Sequence, residues 1–369
     1  MKICYLGNIQ SIHMQRWANF FADRGHDVTI ITWHPKNASA CVHPNIRIRR
    51  IWFPPHSFLR YGALLELFFI IHQVKPEIIH AHYVGHFGIL ASLYKKITGF
   101  TPIFMTAWGS DILIDAKDSK LRLIQKALVR ADLITCDALH MKKTMEELGI
   151  EGKKIHIIYF GTDTKKFALS SKNNSVRTKY GILNEPVIIS LRSLEPIYDI
   201  ATLIRATSLI KKEFPNVKVI IGGKGSLESD LKQLSMDLGV SDNIIFAGFI
   251  QSDELPTYIT SADVYVSTSL SDAGLAASTA EAMACGIPVV ITDFGNNSEW
   301  VTDGKGGYLF PPHDHTALAK ALITLIKDEE KCKSFGLINH QIIEERNNYY
   351  TEMKKVEDLY QLLKEEKNA

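Results

Sequence analysis

The stretch ADVYVSTSLSDAGLAASTAEAMACGIPVVITDFGNNSEWV, residues 262–301, decides the fold class. Its apolar alternation at Val264–Val266 predicts a strand, and a loop of small residues follows. A helix that carries Glu281 then begins at Ser278, and a second strand is predicted at Val289–Thr292. The free N–H groups at such a helix start attract an anion, and a carboxylate one turn later suits the two hydroxyls of a ribose. The stretch therefore predicts a unit that binds a nucleoside diphosphate.

Length and composition set the outer limits of the interpretation. A chain of 369 residues predicts two domains, and an apolar content of 46% is typical of a folded globular protein. The most apolar run, Gly62–Val74, is too short to span a bilayer and predicts a buried amphipathic helix. The first residues, MKICYLGNI, run directly into a strand, so we expect no secretory signal. Five cysteines are scattered without a CxxC pair, which favours a reducing cytoplasm over a disulfide framework or a zinc site.

The charge is distributed unevenly although the whole chain carries only +2. Residues 1–165 hold 21 Lys and Arg against 13 Asp and Glu, a net charge of +8, so the remainder carries −6. A basic first half suits a phosphate-bearing acceptor or an anionic membrane. Uneven solubilising charge is the alternative interpretation.

Strand-like apolar runs alternate with helical periodicity along the whole chain, which predicts a parallel α/β architecture. The pattern begins at Lys2–Leu6, is interrupted by a polar stretch at Lys165–Thr178, and restarts at Pro186–Leu191. The predicted fold is therefore two doubly wound parallel-sheet domains. Such domains bind their ligands at the carboxyl ends of the strands, so we expect the site there.

Short motifs follow one another along nearly the whole chain in a specific order. They are RGHDVTIIT at 24–32, IIHAH at 78–82, TAWGSDIL at 106–113, FGTDTKKF at 160–167, IGGKGSLESDL at 221–231, NIIFAGFI at 243–250, EAMACGIPVV at 281–290 and DGKGGYLFPPHD at 303–314. In this order they resemble the GT-B glycosyltransferases, and within these the family 4 retaining enzymes that use nucleotide sugars. The resemblance implies two Rossmann-like domains that face a central cleft. The expected division is an acceptor-binding domain at 1–165, a nucleotide-sugar-binding domain at 166–335, and C-terminal helices at 336–369 that cross back to the first domain.

The resemblance places the donor site mainly in the second domain. Glu281 matches the second glutamate of the family's E-x7-E motif and is expected to bind the ribose; a glutamate favoured by the helix dipole is the alternative. Ala273 replaces the first glutamate of that motif, and the neighbouring Asp272 is the candidate substitute. Arg192 is expected to hold the diphosphate through its bidentate, permanently charged guanidinium. The lysine that usually follows this arginine is absent, and Lys224 is either the second cation or a solvated turn residue.

Backbone and apolar groups complete the expected donor site. Small residues let the backbone approach sugar hydroxyls and phosphate closely. The N–H groups expected to make these contacts belong to Gly274, Leu275, Ser278 and Thr279. Gly7 is expected to let the first strand approach the pyrophosphate, and Phe249 and Ile250 lie where the family packs the nucleobase.

Candidate catalytic and acceptor-binding groups lie mainly in the first half. His82, after the predicted strand Ile78–His80, is expected to contact the acceptor or the sugar, with a packed imidazole as the alternative. Asp111 is expected to bind a sugar hydroxyl or to act as general base, with a helix-capping role as the alternative. Asp272 is the third catalytic candidate. The residues expected to bind the acceptor are His13, Arg16 and Trp108, whose indole suits stacking on a sugar face.

No DxD carboxylate pair is present, so we expect neither a metal nor another cofactor. Fixed cations and the helix start are expected to stabilise the leaving group instead. Arginines and aromatic residues mix in Arg47–Tyr61, which suits a membrane interface or an aromatic-packed strand edge. We expect no nucleic-acid partner, because no recognised module or stronger basic cluster is present.

The predicted function is that of a retaining glycosyltransferase in cell-surface polysaccharide or glycolipid biosynthesis. It moves a sugar from a nucleoside diphosphate donor, expected to be UDP-linked, to a glycan or lipid-linked acceptor. The expected location is the cytoplasm, with peripheral contact at the inner face of the membrane through the basic first domain. Two alternatives stay open: a nucleotide-sugar epimerase on the same fold, and a non-catalytic glycosyltransferase-like partner subunit, which Ala273 and the missing lysine would fit.

Overall fold

The computed structural model describes residues 1–35, 42–54, 59–113, 118–169, 173–270 and 275–368. The chain divides into two units, Met1–Phe160 with Tyr350–Ala369, and Gly161–Tyr349. Within the described residues each unit contains one seven-stranded sheet, and all neighbouring strands in both sheets are parallel. The predicted α/β architecture with two doubly wound sheets is thereby confirmed.

The first unit has strand order β3-β2-β1-β4-β5-β6-β7. The strands are β1 Lys2–Leu6, β2 Asp27–Thr32, β3 Arg47–Arg50, β4 Ile78–His82, β5 Ile103–Thr106, β6 Leu133–Cys136 and β7 Ile155–Ile157. The helices are α1 Ile12–Asp23, α2 Arg60–Val74, α3 Ile89–Thr98, α4 Ser110–Leu113, α5 Asp118–Arg130 and α6 Leu139–Glu147. Every residue of β4 and of β5 is buried, as expected of parallel strands covered on both faces.

The second unit has strand order β10-β9-β8-β11-β12-β14-β13. The strands are β8 Val187–Leu191, β9 Lys218–Gly222, β10 Ile244–Gly248, β11 Val264–Ser267, β12 Val289–Thr292, β13 Thr302–Asp303 and β14 Gly306–Phe310. The helices are α7 Ser175–Lys179, α8 Ile200–Ile210, α9 Glu228–Asp237, α10 Leu255–Thr260, α11 Ala277–Ala284, α12 His315–Ile326 and α13 Glu329–Arg346.

The last helix, α14 at Tyr349–Asn368, packs on the first unit from Tyr350 onward. Its Tyr360 hydroxyl lies 3.1 Å from the hydroxyl of Tyr5 on β1. Glu357 accepts hydrogen bonds at 2.9 Å from Arg24 Nε and at 3.2 Å from His26 Nε2. Burial alone would raise the pKa of Glu357, but hydrogen bonds from Arg24, Lys354 and His26 outweigh it and hold that pKa at about 2. The carboxylate is therefore ionised and ties the helix to its unit.

Helix α2 departs from the expectation of a buried helix. Its buried residues are Ala63, Leu67 and Ile71, which lie on one stripe and join the core of the first unit. The opposite stripe, which includes Leu65 and Phe69, is exposed. The apolar content is high all round the helix, so periodicity in the sequence could not reveal which stripe faces solvent.

Candidate active site

Both sheets reverse their strand order beside their first strand. In the first unit β1 lies between β2 and β4, and in the second unit β8 lies between β9 and β11. The carboxyl ends of the strands at such a reversal form the crevice in which doubly wound sheets bind ligands. Gly7 and His82 stand at this position in the first unit, and Arg192 and Ser269 stand there in the second.

Arg192 follows β8 directly and is half-buried. Its Nη2 donates to Ser269 Oγ at 3.1 Å, and its Cζ lies 4.4 Å from the centre of the Tyr198 ring. The ring and the hydroxyl fix the guanidinium plane, which lowers the entropy cost of holding a bound anion.

The loop after β11 is fastened to the turn that carries Tyr198. Thr268 Oγ1 donates to the Tyr198 carbonyl at 2.7 Å, and Leu270 N donates to the Ile197 carbonyl at 2.9 Å. Ser269, which lies between them, is fully buried. These bonds hold the segment that carries Ser269 against the turn that carries Tyr198.

Lys224 lies in the turn after β9. The backbone of this turn packs closely against the backbone at Arg192 and Leu194. A Cβ on Gly223 would lie 2.2 Å from the Arg192 carbonyl oxygen, and a Cβ on Gly225 would lie 2.3 Å from that of Leu194. Gly223 also has a φ of +149°. Only glycine fits at both positions, and the exposed Lys224 between them stands at the same sheet edge as Arg192.

Helix α11 begins at the carboxyl edge of β11. Its N-cap residue is Ala276, and no described side chain caps the first turn. The Ser278 hydroxyl lies 2.7 Å from the Tyr265 hydroxyl, Thr279 is buried, and Glu281 is half-buried one turn into the helix. Among the described residues the first-turn N–H groups of α11 therefore have no side-chain cap, and such a helix start attracts an anion.

The remaining donor candidates divide into described and undescribed positions. Leu275 is half-buried just before α11, while Asp272 and Gly274 lie outside the described residues. After β10, Ile250 is buried against Gly222, whose Cβ would lie 2.6 Å from Ile250 Cδ1. Phe249 is 64% exposed, so its ring face is open for stacking on a base.

Sequence reasoning missed several hydroxyl groups at this edge. Ser269 and Tyr198 support Arg192, and the buried Oγ atoms of Ser190 and Ser267 have no hydrogen-bond partner among the described residues. Buried hydroxyls without a partner are costly, and these two lie near the carboxyl ends of β8 and β11. The run Ser267–Ser269 at the end of an apolar strand was the available signal.

In the first unit Gly7 packs closely against Met14 and His82. A Cβ at this position would lie 1.9 Å from Met14 Cε and 3.3 Å from His82 Cβ. His82 ends β4 and is buried, and its Nδ1 accepts a 3.3 Å hydrogen bond from Trp108 Nε1. Its buried Nε2 has no hydrogen-bond partner among the described residues.

His13, Arg16 and Trp108 come together with Phe160. The His13 ring stacks on the Trp108 ring with centroids 4.3 Å apart and meets the Phe160 ring edge-on at 4.4 Å. Arg16 Cζ lies 4.0 Å from the centre of the Phe160 ring. The three expected acceptor-binding residues therefore form one cluster beside His82, and Phe160 is a member that the sequence did not indicate.

Asp111 is turned inward. Its Oδ1 accepts from Trp108 N at 3.0 Å, its Oδ2 accepts from Val84 N at 2.8 Å, and the residue is fully buried. Burial raises the pKa of Asp111 to about 6 despite these backbone hydrogen bonds. Both carboxylate oxygens of Asp111 therefore accept hydrogen bonds from backbone N–H groups, and the role of general base stays a prediction.

Two family models match the chain, one in each unit. The model "Glycosyl transferase 4-like" matches residues 2–138, and "Glycosyl transferases group 1" matches residues 173–339. The N-acetyl-alpha-D-glucosaminyl L-malate synthase of Bacillus anthracis is 25% identical over 361 residues, covering 94% of this chain and 92% of that protein. The chain belongs to the GT-B glycosyltransferases of family 4 type.

Two further proteins are similar to this glycosyltransferase. The GDP-mannose-dependent alpha-(1-6)-phosphatidylinositol monomannoside mannosyltransferase of Mycolicibacterium smegmatis is 32% identical over 184 residues, 48% of each chain. The crystal structure of Anabaena HepE in complex with UDP superimposes with a TM-score of 0.81 at 21% identity, covering 98% of this chain and 100% of that one. The structural likeness confirms the predicted GT-B fold.

The two histidines of the first-unit cluster are neutral at pH 7. Burial and the nearby charge of Arg16 lower the pKa of His13 to about 4, and burial and repulsion from His13 lower the pKa of His82 to about 3. Because His82 Nδ1 accepts from Trp108, its proton resides on Nε2. His82 is thus a hydrogen-bond donor and a weak base.

These shifts predict a loss of stability in mild acid. Above pH 6.5 the histidines are neutral in both states, whereas below it the unfolded chain gains protons that the folded glycosyltransferase excludes. Stability should fall from about pH 6.5 towards about pH 4, by about 1.4 kcal/mol per pH unit for each excluded proton. Urea unfolding at a series of pH values measures this slope.

A matched pair of variants isolates the buried group. His13→Gln should reduce the slope by about 1.4 kcal/mol per pH unit, which is the contribution of one excluded proton. The same substitution at the exposed His72 should leave the slope as in the native protein. An unchanged slope in His13→Gln would show that His13 takes up its proton without unfolding.

The described residues lack both a metal-binding cluster and a membrane-spanning helix. No group of three or more His, Cys, Asp or Glu side chains there is arranged to hold a metal ion. None of the described helices combines the length and apolar character needed to cross a bilayer. Cys4, Cys136, Cys285 and Cys332 are free thiols, and Cys41 lies outside the described residues.

Proposed function

We propose that this glycosyltransferase transfers a sugar from a UDP-sugar to a glycan or lipid-linked acceptor, with retention of the anomeric configuration. The observation that carries the proposal is the fixed guanidinium of Arg192 at the strand-order reversal of the second unit. A diphosphate needs a permanent, oriented cation there, and Ser269 and Tyr198 hold one in place.

The proposed donor contacts follow from the groups at the same edge. Arg192, Lys224 and the N–H groups at Ser278 and Thr279 bind the diphosphate, and Glu281 accepts hydrogen bonds from the ribose hydroxyls. Phe249 packs against the base. A uridine base is supported by the structural likeness to HepE, which was solved with UDP. The likeness to the GDP-mannose-dependent enzyme covers only 48% of the chain, so guanosine is the second choice.

The proposed reaction depends chiefly on stabilising the leaving group. The acceptor oxygen forms a bond to the anomeric carbon, the bond from that carbon to the diphosphate oxygen breaks, and the acceptor proton passes to the departing phosphate. Fixed cations and helix N–H groups neutralise the charge that develops on the diphosphate. His82 donates its Nε2 proton in a hydrogen bond to a sugar or acceptor hydroxyl, a role that fits its low pKa of about 3. Asp272 stays a prediction for the contact with the transferred sugar.

We also propose that the reaction needs no metal, because the diphosphate is neutralised by Arg192, Lys224 and the start of α11. Location at the cytoplasmic side is part of the same proposal, since nucleotide sugars serve there as donors for surface glycans. The acceptor is assigned to the first unit, where His13, Arg16 and Trp108 form a half-buried aromatic and cationic cluster. Aromatic faces suit the apolar faces of sugar rings.

Calorimetric binding of UDP, GDP, ADP and their common sugars in the presence of a metal chelator tests the proposal. We expect a uridine nucleotide to bind best, and its sugar to be hydrolysed slowly or transferred with the α configuration retained in the NMR spectrum. Preference for GDP would change the proposed donor to a guanosine nucleotide and would leave the proposed transfer reaction in place. Failure of every nucleotide to bind, or binding only after metal is restored, would overturn the corresponding part of the proposal.

A further inference from the structure

Helix α2 carries a second apolar stripe that faces solvent. Tyr61, Leu65 and Phe69 are 69%, 60% and 59% exposed, and Phe68 beside them is 44% exposed. Positions 61, 65, 68 and 69 lie on one side of a helix, opposite the buried stripe that includes Leu67. A solvated surface helix normally presents charged or polar residues there, so this stripe needs another explanation.

The loop before α2 adds two more aromatic side chains to the stripe. Trp52 is 72% exposed and Phe53 is 46% exposed. Glu66 Oε2 accepts from Trp52 N at 2.9 Å and from Phe53 N at 3.2 Å, which ties the loop to the helix. The Phe53 ring also packs on Gly62, whose Cβ would lie 2.7 Å from Phe53 Cγ. We call the combined surface the aromatic face; its members are Trp52, Phe53, Tyr61, Leu65, Phe68 and Phe69.

Arginines border the aromatic face on the adjoining edge strand β3. Arg50 is exposed, and its Cζ lies 4.5 Å from the centre of the Trp52 ring. Arg49, also exposed, lines a hollow together with Gln73 near the C-terminal end of α2, and the exposed Arg47 in the same hollow is ion-paired with Asp27. The whole first unit carries 24 Lys and Arg against 17 Asp and Glu. An apolar surface bordered by cations in a basic unit is complementary to a partner that has an apolar interior and negatively charged groups at its surface.

We propose that the aromatic face docks on an anionic lipid bilayer, with α2 lying in the plane of the headgroups. Tryptophan and tyrosine favour the headgroup region because their rings are apolar and their polar ends stay hydrated. The arginines on β3 add attraction to anionic headgroups, which is typical of interfacial helices. A protein partner would need a matching acidic rim, whereas an anionic bilayer matches both the exposed aromatic residues and the adjoining arginines. The donor groups lie in the other unit, so membrane docking does not rest on the proposed function.

Vesicle flotation of the full chain tests the proposal. Vesicles of phosphatidylcholine alone are compared with vesicles that also contain phosphatidylglycerol, each at low and at high salt. We expect the protein to float with the anionic vesicles at low salt and to be largely released by high salt. Equal binding to both vesicle types, or binding to neither, would overturn the proposal.

Two variants separate the apolar and the charged contributions. Tyr61→Gln with Leu65→Gln and Phe69→Gln removes the three most exposed apolar side chains of the helix. Arg49→Glu with Arg50→Glu reverses the adjoining charge. Each should reduce partitioning to anionic vesicles about ten-fold or more. The matched control, Leu183→Gln with Met236→Gln, removes exposed apolar side chains from the second unit and should float like the native protein.

Nucleotide binding and light scattering complete the test. Unchanged nucleotide affinity in all variants shows that the second unit is intact, and a normal circular dichroism spectrum shows that the first unit is folded. If the native chain is a dimer that the apolar variant converts to a monomer, and if the native chain does not float, the aromatic face is a protein interface and the lipid proposal is wrong.

Discussion

Replacing Arg192 with alanine should lower kcat/KM for the donor by about 100- to 1,000-fold. The guanidinium is the one group at this edge that is both permanently charged and fixed, by Ser269 at 3.1 Å and by the Tyr198 ring at 4.4 Å, among the described contacts. Its removal leaves the negative charge of the departing diphosphate without an oriented counter-charge. Most of the loss should appear in kcat, because that charge grows as the bond breaks. Initial rates over a range of donor concentrations measure both constants.

Two further variants show whether position or charge alone matters. Arg192→Lys keeps the charge but loses the planar fork, so it should restore only part of the activity. Arg205→Ala removes an exposed arginine from α8 in the same unit and should behave like the native enzyme. Full activity in Arg192→Ala would show that Arg192 does not stabilise the diphosphate. Equal losses of activity in the Arg192 and Arg205 variants would indicate a general effect of charge.

The strands were the most predictable part of the fold. Lys2–Leu6 and Val289–Thr292 have the bounds that the apolar runs predict, because these parallel strands are almost entirely buried. Strand β14 was not predicted, since it begins with Gly306 and Gly307, residues that normally weaken a strand. Gly307 is there because its Cβ would lie 2.1 Å from the Val289 carbonyl oxygen, a constraint from the neighbouring strand that no local pattern shows.

The candidate site was predictable where a residue follows directly from its strand. Arg192 could be found because it ends an apolar run, but its supports, Ser269 and Tyr198, come from loops whose meeting depends on the tertiary fold. Asp111 shows the same limit in reverse, because a carboxylate suited to catalysis by its neighbours in sequence turns inward to two backbone N–H groups. Sequence patterns locate the edge of the sheet, and the packing of loops decides which side chains face the ligand.

Glu281→Ala should weaken the binding of UDP by about 10- to 100-fold, since one or two charge-assisted hydrogen bonds to the ribose are lost. Glu281 is half-buried one turn into α11, where the helix start orients it and partial exclusion of water strengthens its hydrogen bonds. Isothermal calorimetry at constant pH and salt gives the affinity directly. Glu254→Ala, which removes an exposed glutamate from the same unit, should bind UDP like the native protein.

Deoxynucleotides distinguish a ribose contact from a general effect of the charge. If Glu281 accepts from the ribose hydroxyls, the native protein should bind 2′-deoxy-UDP or 3′-deoxy-UDP more weakly than UDP, and Glu281→Ala should bind UDP and that deoxynucleotide almost equally. The losses of binding free energy from the substitution and from the missing hydroxyl would then be non-additive, because both changes remove the same interaction. Additive losses would place Glu281 away from the ribose and leave it as a glutamate that stabilises the start of α11 through the helix dipole.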